Sequence, residues 1–268
     1  MMRADLHVHS TFSDGKNSLQ EMVQAAAALG MDCLGFSDHS FTAFDDSWCM
    51  SEQGTKDYRA EVLRLREQYA SKLPIFLGLE RDYYSDDDRA PYDYVIGSVH
   101  YVKYGSVYLT VDESLDALLA AVDRYFSGDC YTFAELYYET VADVARQTDC
   151  DLIGHFDLVT KFIEKKPYLD ITHPRYRAAW KKALDALLPL GIPFEVNTGA
   201  IYRGYRTAPY PDREIREEIL DRGGKLLLTS DSHSTDSLMY RFSDFRTLEN
   251  TTAAEVLEHR RAKTMRNR

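Results

Sequence analysis

Histidine and carboxylate side chains recur in short motifs that are spread over most of the chain. The motifs are His7-Val8-His9, Asp38-His39, Glu80, His100, His155 and Asp231-Ser232-His233. Zinc, manganese and iron accept mixed imidazole and carboxylate ligands, whereas calcium and thiolate-preferring metals do not favour them. A catalytic ion with an open position needs only about three protein ligands. If the fold gathers these groups, their number therefore indicates more than one divalent ion.

Apolar segments alternate with helical patterns along the chain, and this alternation predicts how the motifs are positioned. Strands are predicted at 3–9, 32–38, 75–80, 93–99, 151–155, 193–197 and 225–230. Helices are predicted at 18–29, 55–72, 113–126, 132–148, 173–190, 212–222 and 251–261. Alternating strands and helices are typical of a mostly parallel α/β sheet. Seven strands in 268 residues favour a closed or nearly closed barrel, so we predict one domain over residues 1–268.

Potential ligands lie in or directly after nearly every predicted strand. The loops at the carboxyl ends of barrel strands converge on the barrel axis, so these side chains are expected to meet. His7 and His9 point to one face, because strand side chains alternate with a period of two. His173 and His259 fall in predicted helices and are assigned no role. The aperiodic segment 40–54 is predicted to be a long loop, which could form a lid or a solvated excursion.

The composition excludes several classes of protein. The net charge is −11, and acidic residues outnumber basic ones along most of the chain, which disfavours nucleic acid as a partner. The sequence shows no apolar run near the roughly 18 residues that a membrane helix needs, and no signal peptide is visible. Cysteines at positions 33, 49, 130 and 150 lack zinc-ribbon or redox-motif spacing and are expected to be reduced thiols. We expect a cytoplasmic protein with no membrane partner.

The motifs together resemble a known family. They are DLHVHSTFSDG at 5–15, SDH at 37–39, GLERDY at 78–83, GSVH at 97–100, GHFD at 154–157, EVNT at 195–198 and SDSH at 230–233. Their order and spacing are similar to those of the polymerase and histidinol phosphatase (PHP) superfamily. MSEQ at 50–53 and the stretch EVNTGAIYRG…PYP at 195–211 resemble its stand-alone histidinol-phosphate phosphatases. The resemblance implies a distorted, TIM-like seven-stranded (β/α) barrel.

The resemblance also implies three divalent ions (Zn, Mn or Fe) and three groups of ligands. The first ligand set is His7, His9, Glu80 and Asp231; the second is Glu80, His100 and His155; the third is Asp14, His39 and His233. Glu80 would bridge the first two ions. Many relatives have histidine where this chain has Asp14, and Asp14 also lies in a Ser-Asp-Gly turn, where aspartate is common for local reasons. Glu80, Asp231 and His233 are the expected catalytic residues.

The implied reaction is hydrolysis of L-histidinol phosphate to L-histidinol and phosphate. The hypothesis is direct attack on phosphorus by a hydroxide that bridges two ions, with no covalent phosphoenzyme. Lys161 and Arg203 follow predicted strands and are candidates for phosphate contacts, although relatives often have arginine near position 161. Asp38 is expected to orient a ligand histidine. Three ions carry six positive charges, of which Asp14, Glu80 and Asp231 offset three, so the pocket is expected to be net positive.

The residues leave other functions open. Phe41, Phe44, Asp45 and Trp48 could contact the organic part of the substrate or could pack the long loop. The same site could act on another small phosphate ester, such as a nucleotide or a sugar phosphate. Metal-dependent amidohydrolases also begin with an HxH motif, but they usually have a bridging lysine and lack the SDH and DSH pairs. A non-catalytic scaffold is the remaining alternative.

Overall fold

The computed structural model describes residues 2–258. In chain order the strands are β1 (Ala4–Asp5), β2 (Cys33–Phe36), β3 (Ile75–Asp82), β4 (Tyr94–Ser98), β5 (Tyr101–Tyr104), β6 (Val107–Thr110), β7 (Leu152–Ile153), β8 (Phe194–Asn197) and β9 (Leu226–Thr229). Seven of them form one parallel sheet in the order β1-β2-β3-β4-β7-β8-β9. The sheet nearly closes into a barrel, as predicted.

Helices lie between the strands. They are α1 (Leu19–Ala28), α2 (Glu52–Tyr69), α3 (Leu115–Phe126), α4 (Cys130–Thr148), α5 (Pro174–Leu187), α6 (Gly199–Tyr202), α7 (Arg213–Asp221) and α8 (Phe242–Phe245). Residues 253–258 are also helical, whereas 259–261 of the predicted last helix, with His259, lie outside the described residues. No helix within 2–258 is both long and apolar enough to cross a membrane.

Local sequence explains how several helices begin and end. Ser18 and Glu21 form a capping box at the start of α1, each satisfying a backbone N–H of the other. Gly30, which follows this helix, has a φ of 64°, a left-handed conformation that glycine adopts without a side-chain clash. His173 caps α5 by accepting a hydrogen bond from the Arg175 N–H, so it precedes the helix in which it was predicted.

β1 and β7 are the strands most shortened relative to the prediction, and one hairpin was not predicted. β1 ends at Asp5, after which Val8 makes a single parallel bridge to Ser232. The Tyr94 hydroxyl donates to the Leu6 carbonyl (2.6 Å) and to the Phe36 carbonyl (3.0 Å). A side chain therefore satisfies a backbone carbonyl just beyond β1, where no ladder continues. The antiparallel hairpin β5–β6 extends from the carboxyl end of β4.

The core has two parts because strand residues alternate between faces. One large cluster packs the outer face of the sheet against the helices. A smaller cluster from alternate strand positions fills the barrel interior: Leu6, Cys33, Tyr94, Ile96, Leu152 and Leu227, closed by Ala253, Val256 and Leu257. The polar mouth is thus supported from below by a packed apolar layer.

Gly78 provides a test of this interior layer. A Cβ at position 78 would lie 2.2 Å from Tyr94 Cζ and 2.6 Å from the Phe36 carbonyl oxygen. Gly78→Ala is expected to lower the free energy of unfolding by about 1–3 kcal/mol through overpacking, measured by urea denaturation. Gly54→Ala adds the same methyl group to α2 and is expected to leave stability at or near the wild-type value. Equal stabilities for the two variants would contradict this packing.

Candidate metal centre

The barrel closes at its mouth through the bridge between Val8 and Ser232. The His9 N–H donates to the Ser232 carbonyl (2.8 Å), and the Ser232 N–H donates to the His7 carbonyl (3.0 Å). Bridge partners lie side by side, so the residues that flank them are also neighbours. The HVH motif of the first strand is therefore aligned with the DSH motif that follows β9. Four potential ligands meet at this one closing contact.

Glu80, at the end region of β3, lies at the centre of the cluster and is 1% exposed. Five imidazoles surround its two carboxylate oxygens. Oε2 lies 3.1 Å from His7 Nε2, 3.4 Å from His9 Nε2 and 2.9 Å from His39 Nδ1, and Oε1 lies 2.9 Å from His155 Nε2 and 3.5 Å from His100 Nε2. The Ser98 hydroxyl also donates to Oε1 (2.6 Å). One carboxylate thus contacts at least one histidine of each predicted ligand set.

Asp14 reaches the cluster on a tight loop between β1 and α1. The Gly15 N–H donates to the Ser10 carbonyl (2.9 Å), and a Cβ at Gly15 would meet the Ser10 backbone at 2.7 Å, so only glycine fits this turn. Asp14 Oδ2 then lies 3.1 Å from His233 Nε2, and Oδ1 lies 3.6 Å from His39 Nε2. The aspartate of the SDG turn therefore faces both histidines of the third ligand set.

Asp38 positions this loop rather than a histidine, so the prediction that it orients a ligand imidazole is wrong. Its Oδ1 accepts hydrogen bonds from the Ser10 N–H (2.8 Å) and the Ser13 hydroxyl (2.7 Å). It also accepts from the Ser10 hydroxyl and the Ser13 N–H. The contribution of Asp38 to the site is therefore the placement of the turn that carries Asp14.

Asp231 has a left-handed backbone, with a φ of 48°, which is uncommon for a residue with a side chain. Arg203 stabilises this conformation by donating to the Asp231 carboxylate (2.8 Å) and to its main-chain carbonyl (3.1 Å). Asp231 Oδ1 is then 3.4 Å from His9 Nε2 and 3.7 Å from His7 Nε2. Backbone strain of this kind is typical of functional sites.

Three overlapping groups within the described residues have ligand atoms within 4.8 Å of one another. They are His9, Asp14, His39 and His233; His7, His9 and Glu80; and His39, Glu80 and His100. These groups contain most of the three predicted sets, but they also place His9 near the third set and His39 near Glu80. The assignment of individual ligands to individual ions stays a prediction.

Buried polar atoms at this cluster lack hydrogen-bond partners among the described residues. They include His7 Nε2, both ring nitrogens of His9, His39 Nδ1 and Glu80 Oε2. Such atoms are costly to bury unless something satisfies them. Because they converge and combine imidazole with carboxylate, the donor set fits divalent transition-metal ions.

The electrostatics of the cluster favour the metal-binding form at His9 and Glu80, whereas the surrounding carboxylates overcome the effect of burial and raise the pKa of His7, His39 and His100. Burial, reinforced by the neighbouring His233 and His39, lowers the pKa of His9 to about 3, so this imidazole is neutral near pH 7. Burial alone would raise the pKa of Glu80, yet His7, His39 and His100 hold it well below its usual range. Neutral imidazoles and ionised carboxylates are the protonation states that bind metal.

Glu195 and Asn197, on β8, contact the cluster, and the sequence analysis gave neither of them a role. Glu195 Oε1 lies 2.5 Å from His7 Nδ1, and its Oε2 accepts from the His155 backbone N–H (2.9 Å). Asn197 Nδ2 donates to Glu195 Oε2 (3.2 Å) and to Asp231 Oδ2 (3.3 Å). Their i, i+2 spacing in the EVN motif was the available signal, because strand alternation places both on one face.

Asp82 contacts His100 much as Glu195 contacts His7. Its Oδ2 accepts from the His100 backbone N–H (3.1 Å) and lies 3.3 Å from His100 Nδ1. This contact leaves His100 Nε2 facing Glu80. Carboxylates that bind the second nitrogen of a ligand histidine fix its tautomer and ring orientation. The signal in the sequence was again an i, i+2 spacing, here between Glu80 and Asp82.

A cavity of about 430 Å³ opens beside the cluster, within the range of small-molecule sites. Its wall includes Trp48, whose ring lies 4.5 Å from the His39 ring and 5.1 Å from the His100 ring, centroid to centroid. The Trp48 Nε1–H donates to the Tyr101 hydroxyl, which donates to Asp45, each at 2.6 Å. The loop after β2 is therefore held against the β5–β6 hairpin.

The other loop residues have different positions. The Phe44 ring stacks on the Tyr108 ring at a centroid distance of 3.7 Å, so Phe44 packs the loop on the hairpin. Phe41 donates its backbone N–H to Asp87 Oδ2 (2.8 Å). Asp45 and Trp48 line the cavity, whereas neither phenylalanine is among its lining residues. Of the four candidates for substrate contacts, only Asp45 and Trp48 remain.

Lys161 and Arg203 both line the cavity, and both already have partners. The Lys161 ammonium donates to Asp112 Oδ2 (2.9 Å) and to the Asp112 carbonyl (2.8 Å). Arg203 Nη1 lies 3.0 Å from His233 Nδ1 in addition to its contacts with Asp231. Arg203 thus contacts the cluster directly, and Lys161 lines the cavity beside Asp112. Their contact with phosphate stays a prediction.

Comparison with known proteins supports this picture. The PHP domain family matches residues 5–199. A Deinococcus radiodurans protein named "Probable histidinol-phosphatase" is 29% identical over 251 residues, which cover 90% of each chain. The histidinol-phosphatase of Bacillus subtilis is 26% identical over 91% of this chain and 98% of its own. A solved Lactococcus lactis histidinol phosphate phosphatase, complexed with zinc, L-histidinol and phosphate, has a TM-score of 0.68 at 21% identity, covering 93% of this chain and 95% of that chain.

The chain therefore belongs to the PHP domain family. Within it, the chain is similar to histidinol phosphatases over nearly its whole length. This similarity groups it with metal-dependent phosphoesterases, as the resemblance in the motifs implied. The amidohydrolase alternative gains no support from these matches. The Lactococcus lactis structure confirms the fold.

The orphaned buried atoms predict that divalent ions stabilise the protein. An ion that binds only the folded state adds about 2.7 kcal/mol at 100 times its dissociation constant. Titrating metal-free protein with Mn²⁺ or Zn²⁺ is expected to raise the unfolding midpoint in a thermal scan. Glu80→Gln is expected to lose most of this shift, whereas Glu61→Gln, on α2, is expected to keep it. A wild-type midpoint that does not respond to either ion would contradict the assignment.

Proposed function

We propose that the protein is a phosphomonoesterase that hydrolyses L-histidinol phosphate to L-histidinol and phosphate with three divalent ions. The observation that carries the proposal is the convergence of nine potential ligands, with Glu80 as their central member, beside a cavity of about 430 Å³. The similarity to curated histidinol phosphatases supports the choice of substrate.

The proposed ligands are those of the three predicted sets, with Glu80 shared by the first and second. Ions bound there would activate water and neutralise phosphoryl oxygens, which is the chemistry that clustered divalent ions supply to phosphate esters. Asp231 and His233 are proposed to act beside the reacting water, since Asp231 Oδ1 lies 3.5 Å from His233 Nδ1. Arg203 is proposed to bind a phosphoryl oxygen while Asp231 holds its guanidinium in place.

The charge of the pocket depends on more residues than the sequence analysis counted. Glu195 and Asp82 contact ligand histidines, so they offset two further positive charges of the ions. Arg203 restores one of them from its position beside Asp231. The metal end of the cavity is still positive, which suits a dianionic phosphate monoester.

The wall of the cavity also carries carboxylates and aromatic rings outside the proposed ligand sets. They are Asp45, Asp112 and Glu113 together with the rings of Trp48, Tyr101 and Tyr205, and Asp112 is paired with Lys161. Carboxylates and aromatic faces favour a cation. Histidinol phosphate has a phosphate at one end and an ammonium and an imidazole at the other, whereas sugar phosphates and nucleotides lack that ammonium. These side chains therefore favour histidinol phosphate over the alternative small phosphate esters.

Phosphate release from a panel of esters tests the substrate. With Mn²⁺, Zn²⁺ or Fe²⁺ present, kcat/KM for L-histidinol phosphate is expected to exceed that for glycerol phosphate, a sugar phosphate and a nucleotide. If histidinol phosphate is turned over no faster than these esters, the substrate assignment fails, although a phosphatase active on all of them would keep the reaction class.

Two ligand variants test the site. His7→Ala and Asp231→Ala are each expected to lower kcat/KM by at least about 10²-fold, because metal centres supply several kcal/mol of transition-state stabilisation. Circular dichroism should show folded protein in both cases. His173→Ala is the matched control, since His173 lies at the start of α5 and stacks on Tyr131. Retained turnover in both ligand variants would contradict the proposed site.

Asp112→Asn tests the recognition of the ammonium group of the proposed substrate. Removing this charge is expected to reduce the preference for histidinol phosphate over glycerol phosphate by about tenfold, equivalent to about 1.4 kcal/mol. The ratio of the two kcat/KM values is the measurement. Asp116→Asn, on the exposed side of α3, is expected to leave the ratio unchanged. An unchanged ratio in Asp112→Asn would remove Asp112 from substrate recognition.

A further inference from the structure

The inward face of β8 connects ligand residues that come from different parts of the chain. Glu195 contacts His7, which follows β1, and the backbone of His155, which follows β7. Asn197 connects Glu195 to Asp231, which follows β9. His7 and Asp231 belong to the first ligand set and His155 to the second. One side chain thus contacts members of both sets without belonging to either.

The hydrogen bonds around Glu195 all have the same direction. Its Oε2 receives the His155 N–H and the Asn197 Nδ2–H, and its Oε1 lies 2.5 Å from His7 Nδ1. Because an ionised carboxylate only accepts, this contact assigns a proton to His7 Nδ1. The Asn197 amide is itself oriented, because its Oδ1 accepts from the Gly199 N–H (2.9 Å). With Nδ1 directed at Glu195, His7 Nε2 lies 3.1 Å from Glu80 Oε2, where its lone pair would face a bound ion.

We propose that Glu195 is a positioning residue that makes ion binding at the first and second ligand sets interdependent. Its Oε1 fixes the tautomer and orientation of His7, and its Oε2 fixes the backbone from which the His155 imidazole extends. Movement of this carboxylate displaces a ligand of each set at once. The third ligand set, Asp14, His39 and His233, has no contact with Glu195 in the described part of the chain. This inference rests on the three-ion centre proposed above.

Glutamine in place of Glu195 would keep the size of the side chain and break its pattern of acceptors. In either orientation of the amide, its NH₂ group would face a donor: the His7 ring N–H on one side, or the His155 and Asn197 N–H groups on the other. Loss of a partner that orients a metal ligand typically weakens metal binding by about 10–100-fold. Glu195→Gln is therefore expected to weaken two ions together.

Asp82→Asn is the matched control. Asp82 is also a buried carboxylate beside a ligand histidine, but among the ligands its hydrogen bonds go to His100 alone. Its replacement is expected to weaken only the ion of the second ligand set. The comparison of the two variants distinguishes Asp82, which contacts a ligand of one set, from Glu195, which contacts ligands of two sets.

The experiment is equilibrium dialysis of the full chain against a series of buffered free Zn²⁺ concentrations, with bound zinc measured by mass spectrometry and folding checked by circular dichroism. Wild type is expected to bind three ions. Glu195→Gln is expected to shift two of the three to about 10–100-fold higher free zinc, and Asp82→Asn to shift one. The ion of the third ligand set is the internal reference, because it is expected to bind at the same free zinc concentration in both variants as in the wild type.

The possible results separate failure of the inference about Glu195 from failure of the proposed three-ion centre. A folded Glu195→Gln protein that shifts one ion or none, beside a wild type that binds three, overturns the inference and leaves the proposed function intact. A purely structural role would lower the unfolding midpoint without selecting two ions. If Glu195→Gln does not fold, Glu195→Asp, which keeps the charge on a shorter side chain, is expected to shift the same two ions and is judged by the same criterion. A wild type that binds fewer than three ions overturns the proposed centre and the inference together.

Discussion

The buried charge of Glu80 is the constraint around which the rest of the site is arranged. A carboxylate that is 1% exposed would be costly without compensation, and five imidazole nitrogens within 3.5 Å surround it. Against the lowering effect of burial, Glu80 and neighbouring carboxylates raise the pKa of His7, His39 and His100, so protons or cations balance the buried negative charge. Divalent ions fit this need, because the same nitrogen lone pairs that crowd the carboxylate are metal ligands. The barrel concentrates this charge above an apolar layer formed by Tyr94, Ile96 and their neighbours.

The sequence was sufficient to predict which histidines and carboxylates converge at the barrel mouth, and insufficient to predict the side chains that hold them in place. His7 and His9 could be placed on one face because strand alternation is a local rule, and Glu80 could be placed because it ends an apolar strand. Glu195 and Asp82 satisfy the same alternation rule, but their role depends on which imidazole lies across the barrel. The imidazole that faces each of these carboxylates is decided only when the sheet closes into a barrel. The partners of Asp38 were misjudged for the same reason: a buried aspartate beside a histidine in the chain can face a different loop in space.

The fold was predicted at the level of its seven parallel strands and barrel architecture, and less well at the strand ends. Apolar patterns predicted β1 over 3–9 and β7 over 151–155, yet the ladders cover only two residues in each. At these ends, side chains such as Tyr94 and Glu195 take over backbone hydrogen bonds that a ladder would otherwise make. The β5–β6 hairpin was missed, and with it the part of the wall that includes Tyr101. This hairpin supports Trp48 and Asp45, so the shape of the cavity could not be inferred from the periodicity that predicted the barrel.

The bridge between Val8 and Ser232 has a consequence for the assembly of the protein. It joins segments from nearly opposite ends of the described chain, and the HVH and DSH motifs become neighbours only when both segments are in place. During synthesis the amino-terminal motif is made first and remains without its partner while almost the whole barrel is still missing. Contacts of such long sequence separation form late and slowly. The complete set of potential ligands therefore exists only once the barrel has closed, and a chain that ends before the DSH motif lacks the partners of the HVH motif.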